Sequence, residues 1–106
     1  MTKEEKIIFD CINKTKAEDT IFYDVRGINP LCDSIIICTA LNNRNLNGLK
    51  DAIEECCEIN NIVINHIEGR DCKSGWLLID LNDIIIHIMT KEIRDQLNLD
   101  EIIHSN

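Results

Sequence analysis

Residues 34–40, Ser-Ile-Ile-Ile-Cys-Thr-Ala, run almost without polar interruption, and no other segment constrains the fold as tightly. The stretch is too short for a buried helix and lacks the alternation of a strand with one wet face. It predicts a strand covered on both faces and set centrally in a sheet. Isoleucine and asparagine are heavily used and aromatics make up 4%. A core of β-branched side chains is stiff at χ1 and suits sheet more than helix. The 106 residues suffice for one domain and are too few for two with separate cores, so residues 1–106 are read as a single domain.

The remaining elements follow from periodicity and punctuation. Thr2 and Glu5 stand at capping-box spacing, predicting a helix to about Lys16 with Ile8, Cys11, Ile12 and Thr15 on one face. Thr20 to Val25 reads as a strand, closed by Gly27 and the loop around Pro30. The side chains of 42–45 offer caps for a helix from Asn45 to Ile59, whose stripe is Leu46, Leu49, Ile53, Cys56 and Asn60. Strands are expected over Ile64–Glu68, Trp76–Leu81 and Ile84–Met89, the last two joined by a tight turn at Leu81-Asn82-Asp83. Thr90 caps a final short helix carrying Ile93 and Leu97. The expected class is α/β (α+β): one mixed five-stranded sheet flanked by helices.

The formal charge is −8, from 11 basic and 19 acidic residues. Such a surface repels phosphate backbones, which disfavours specific direct nucleic-acid binding, and favours encounter with a basic protein. Acidity that serves only to keep the chain dispersed is the plainer alternative. The six cysteines, at 11, 32, 38, 56, 57 and 72, form no C-x-x-C pair. Residues 1–9 do not resemble a secretory leader, and no run approaches the length of a membrane span. The expectation is a cytoplasmic protein whose cysteines are reduced and core-filling.

The chain carries little recognisable catalytic chemistry. The glycines at 27, 48, 69 and 75 are isolated, so neither a P-loop nor a dinucleotide fingerprint is present. His66-Ile67-Glu68 resembles half of a zinc-deaminase motif, without the P-C-x-x-C partner that completes the metal shell. Asp83 and His87 share parity on one strand and could pair as acid and base, but no nucleophile or metal set accompanies them. A turn aspartate and a sheet-face histidine explain both more simply. Asp33-Ser34 opens a strand without the G-S and D-x-D of a nucleotidyltransferase. No enzyme, metal or cofactor is therefore expected. The rival is a metal- or nucleotide-dependent enzyme using Asp80, Asp83 and His87.

Trp76 is the single tryptophan; it shares a strand face with Leu78 and Asp80, while Leu77, Ile79 and Leu81 occupy the aliphatic face. A large aromatic and an acid on the second face point to a covering helix of the chain itself or to a partner, since tryptophans are enriched among binding hot spots.

His66-Ile67-Glu68-Gly69, Gly75-Trp76-Leu77-Leu78-Ile79-Asp80 and Asp83-Ile84-Ile85-Ile86-His87-Ile88 resemble the H-x-E-G, G-W-x-L-x-D and D-x-x-x-H-x signatures of ribosome silencing factors, the Iojap-like family. Asp33 to Thr39 resembles that family's D-x-x-x-I-x-T strand. Glu92-Ile93-Arg94 and Asn98-Leu99-Asp100 resemble its closing E-x-R and N-L-(D/E) elements. Order and spacing match over nearly the whole chain. The resemblance implies a nucleotidyltransferase-like fold without catalytic function. It also implies binding to the large ribosomal subunit through its fourteenth protein, which blocks joining of the small subunit and represses translation. Glu68, Arg70, Trp76, Leu78 and Asp80 become the partner-binding candidates, and a homodimer of the free protein is a further implication. A role in large-subunit assembly is the alternative that shares this partner. Two departures stand out: Leu81-Asn82 where the family has an aromatic and Gly, and Thr39-Ala40-Leu41-Asn42 where it has T-G-x-S.

Overall fold

The computed structural model describes residues 1–104. Their order is α1 (Lys3–Asn13), β1 (Glu18–Asp24), β2 (Ser34–Ala40), α2 (Asn43–Ile59), β3 (His66–Glu68), β4 (Trp76–Asp80), β5 (Ile84–Thr90), α3 (Lys91–Leu97) and α4 (Leu99–His104). The five strands form one sheet in the order β1-β2-β5-β4-β3, with β2 and β5 parallel and the other neighbours antiparallel. The expected mixed five-stranded sheet is present. β2 is buried at every position and lies between β1 and β5. Its parallel pairing with β5 explains the apolar run, because both of its faces are roofed.

One face of the sheet packs on α1 and α2. Ile36 and Cys38 from β2, Ile84, Ile86 and Ile88 from β5, and Leu77 and Ile79 from β4 meet Ile8 and Ile12 of α1 and Leu46, Leu49, Ile53 and Cys57 of α2. Each of the isoleucine and leucine side chains removes from water an area worth roughly 1.5–3 kcal/mol. The second face carries a smaller cluster of Val25, Cys32, Ile35, Ile37 and Met89, against which Ile93, Leu99 and Ile103 of α3 and α4 pack.

Both major helix starts carry a side-chain cap. The Thr2 hydroxyl accepts the Glu5 N–H at 3.1 Å and the Glu5 carboxylate accepts the Thr2 N–H at 2.7 Å, closing the capping box. Helix α2 starts two residues earlier than expected, because Asn42 is the cap and its side chain accepts the Asn45 N–H at 2.7 Å.

Four expectations need correction. Helix α1 stops at Asn13 rather than near Lys16: Lys14 is the C-cap, and the Thr15 hydroxyl bonds the Ile12 carbonyl instead of continuing the helix. The α2 stripe ends on Cys57, which is buried, rather than on Cys56 and Asn60; Cys56 is half-buried and Asn60 exposed. Residue 57 stands one full turn after Ile53 and so faces the sheet, while 56 turns toward α1. Strand β3 is three residues, not five. Finally, a second short helix, α4, follows α3 after Asn98 takes a left-handed φ of 50°.

Candidate functional site

The second face of the sheet is only partly roofed. Helices α3 and α4 cover its β1–β2–β5 end, whereas toward β4 and β3 the side chains meet solvent: Trp76, Leu78 and Asp80 are half-buried, and His66 and Glu68 are exposed. Register places these residues in rows. Glu68 pairs with Leu78 and Leu78 with His87; His66 pairs with Asp80 and Asp80 with Ile85; Trp76 pairs with Met89. Paired residues project to the same side of a sheet, so Glu68, Trp76, Leu78 and Asp80 form one surface.

Two glycines fix where that surface begins. Gly69 has φ +81°, and a Cβ there would run into the backbone carbonyl oxygen of Trp76. Gly75 has φ +77°, and a Cβ there would lie 3.0 Å from both Ile93 and Thr90 side chains. Only glycine lets the chain approach so closely in this backbone region. At the other end of β4, Asp80 accepts the Asn82 N–H at 2.7 Å and the Asn65 side-chain amide at 3.3 Å. Asn82 sits at φ 74°, a left-handed region that asparagine tolerates better than other residues with a Cβ, so it satisfies the turn.

Trp76 is covered in part by the chain itself and is otherwise open to solvent. Its ring packs against the smaller core cluster yet stays half-exposed, and its indole N–H donates to His87 Nδ1 at 3.1 Å. The two ring centroids are 5.8 Å apart at 31°. Because the indole nitrogen only donates, His87 Nδ1 must carry the lone pair and Nε2 the proton. Burial holds the His87 pKa down at about 4, so the ring is neutral at physiological pH. His87 therefore acts as a wall that orients the tryptophan.

The pairing of Asp83 with His87 does not form. The two lie four residues apart along a strand, about 13 Å of backbone, and His87 Nδ1 is taken by Trp76. Asp83 instead serves the turn, its carbonyl accepting the Asp33 and Ser34 N–H groups at 2.9 and 3.1 Å. Arg70 also departs from its expected place. Strand β3 ends at Glu68, the chain turns at Gly69, and the Arg70 guanidinium stands 3.9 Å from Glu54 on α2. It faces the helix side rather than joining the other four. His66 lies on the edge strand, 3.1 Å from Glu68. Among the described residues no three His, Cys, Asp or Glu side chains stand where one metal ion could be held.

A network that the sequence reading did not foresee holds α3 and α4 in place. Arg94 grips Asp100 through two bonds of 2.9 and 3.0 Å, and donates to the Asp19 carbonyl at 2.7 Å and the Thr39 hydroxyl at 2.9 Å. The Tyr23 hydroxyl donates to Asp100 at 2.6 Å. The Arg94 contact lowers the Asp100 pKa against the opposing effect of burial, while burial and then Asp100 push Tyr23 up to about 12. The signal available was the spacing of Arg94 and Asp100 across Asn98, which becomes a contact only through the left-handed turn.

Comparison with known proteins bears on what this surface belongs to. The fold matches a crystal structure of a Chromobacterium violaceum protein with TM-score 0.88 at 23% identity, over 98% of this chain and 88% of that one. It matches a Bacillus halodurans structure with TM-score 0.84 at 22% identity, over 96% and 94%. In sequence, the chain is 28% identical over 97 residues to ribosomal silencing factor RsfS of Bacillus subtilis, covering 92% of this chain and 81% of that protein. It is 26% identical to the RsfS of Haemophilus influenzae over 92% of this chain and 94% of that protein. A family model described as "Ribosomal silencing factor during starvation" matches residues 1–105. With the family pattern matched from end to end and the same architecture in solved structures, the chain belongs to the RsfS family of ribosomal silencing factors.

Proposed function

We propose that this protein represses translation by docking on the large ribosomal subunit through that subunit's fourteenth protein and so blocking access of the small subunit. The observation that carries this reading is the unroofed half-face, where Trp76, Leu78, Asp80 and Glu68 lie together beside a neutral His87. An aromatic anchored at one edge by a fixed hydrogen bond loses little side-chain freedom on binding, which favours a hot-spot role. The surrounding acids and the net charge of −8 suit a basic ribosomal protein as partner. Trp76, Leu78 and Asp80 are the contact core, with Glu68 at its rim. Arg70, turned toward α2, is a peripheral contact reached only if the partner wraps the sheet edge.

The reading needs no catalysis: occupation of the subunit interface is enough. It places the protein in the cytoplasm, with the homodimer as its free form. Among the described residues no helix is long and apolar enough to cross a membrane. The test is sedimentation with purified subunits at moderate salt. The protein should travel with the large subunit and not the small one, and the fraction of joined ribosomes should fall. Failure to bind the large subunit would remove the proposal.

A further inference from the structure

We propose that Cys11 and Cys56 form a redox-reactive pair, the site at which a peroxide or a low-molecular-weight disulfide joins α1 to α2 by a covalent bond. Both thiols line the groove of about 560 Å³ between these helices, with Ile7, Ala52 and Ile59. Both are half-buried and open to a small reagent, whereas Cys32, Cys38, Cys57 and Cys72 are buried. The Cys11 sulfur donates to the Ala52 carbonyl at 3.8 Å, one helical turn before Cys56, and the Cys56 thiol lines the same groove close enough to raise the Cys11 pKa. Cys57, next in sequence, points into the core against the sheet. A bond between Cys56 and Cys57 would demand side-chain directions that a helix does not offer to adjacent residues.

The chemistry balances with hydrogen peroxide. The Cys56 thiolate attacks one peroxide oxygen, the O–O bond breaks, and sulfenic acid and water result. The Cys11 thiolate then attacks that sulfur, the S–S bond forms, the S–O bond breaks and a second water leaves. Two thiols lose two electrons and the peroxide gains them. With a low-molecular-weight disulfide, a mixed disulfide replaces the sulfenic acid and two small thiols leave. The order of attack follows from environment: burial, then the neighbouring Cys56 and Cys57 thiols, push the Cys11 pKa up to about 12. Oxidation of Cys56 removes one of those opposing groups, so Cys11 enters as the second thiol. The groove lies on the helix-covered side of the sheet, away from Glu68, Trp76, Leu78 and Asp80, so the bond acts as a staple of α1 onto α2.

The test treats the native full-length chain with hydrogen peroxide, then denatures it and counts alkylatable thiols. The expected result is a loss of two of the six thiols in a monomer, reversed by dithiothreitol. Mass mapping should link tryptic peptide 7–14 to peptide 51–70. The unfolding temperature should rise by roughly 10 °C. Cys56 and Cys57 share one peptide, so variants assign the partner: Cys57→Ser should keep the link, and Cys11→Ser or Cys56→Ser should abolish it. A link that survives in Cys56→Ser, a bond within 51–70, a bond between chains, or no thiol loss before unfolding would each overturn the proposal.

Discussion

Burial holds the His87 imidazole near pKa 4 against its ordinary 6.5, and the ring's neutrality lets Nδ1 accept the Trp76 N–H. The folded protein thus resists a proton that the unfolded chain takes up from about pH 6.5 downward. His87's contribution is complete above that pH and lost as pH falls toward 4, at a cost on the order of 3 kcal/mol. Urea midpoints measured from pH 7.5 to 4.5 should show this slope, and His87→Asn, which keeps an acceptor but does not titrate, should flatten it. Glu5 acts lower on the scale. Burial raises its pKa, but the Thr2 N–H and the Arg26 guanidinium at 2.7 Å outweigh that and hold it at about 2. Its stabilisation is present above 4.5 and is lost as pH falls toward 2. Gly69→Ala is expected to destabilise the fold by more than about 2 kcal/mol, since the backbone is left-handed there and the methyl group meets the Trp76 carbonyl. Chemical denaturation checks this, and a cost below 0.5 kcal/mol would show that the close approach can relax.

The short elements α3 and α4 owe their place to Arg94 more than to their own helicity, because helices this short are marginal alone. Arg94→Ala should cost roughly 2–3 kcal/mol, as it leaves the Asp100 carboxylate with only the Tyr23 hydroxyl and frees the Asp19 carbonyl. In hydrogen exchange, α4 amides should lose protection first while β2 and β5 keep theirs. Equal loss across both would place the network inside the global folding unit. This level also marks where the sequence could be read. The α2 stripe, the Thr2–Glu5 capping box and the alternation of β4 are local patterns, and they predicted elements within a few residues. Helix α4 was not legible, because 99–104 is brief and depends on the left-handed turn at Asn98, which no local pattern signals. The site was half legible. Alternation put Trp76, Leu78 and Asp80 on one face, but the pairing of Glu68 with Leu78 is a matter of register between strands. Arg70 was misplaced because the turn at Gly69 carries the chain off the strand before it. The Trp76–His87 bond spans two strands, and no local pattern announces it.

For the whole molecule, the sheet divides into a sealed face and a half-open one, and the half-open face is the surface the proposed docking uses. The sealed face takes the two long helices and most of the core; the second face receives only two short helices, which reach part of it. With a charge of −8, encounter with a basic partner should slow as ionic strength rises, while dissociation from an apolar anchor should change little. Trp76→Ala should weaken binding to the large subunit at least tenfold with the fold retained, and Trp76→Phe should separate loss of the ring from loss of the bond to His87. The most direct measurement is co-sedimentation of wild type and Trp76→Ala with purified large and small subunits. The account predicts wild-type protein with the large subunit alone, fewer joined ribosomes when small subunits are added, and a folded variant left near the top of the gradient. Equal binding of the folded variant, or wild-type protein that stays with neither subunit, would contradict it.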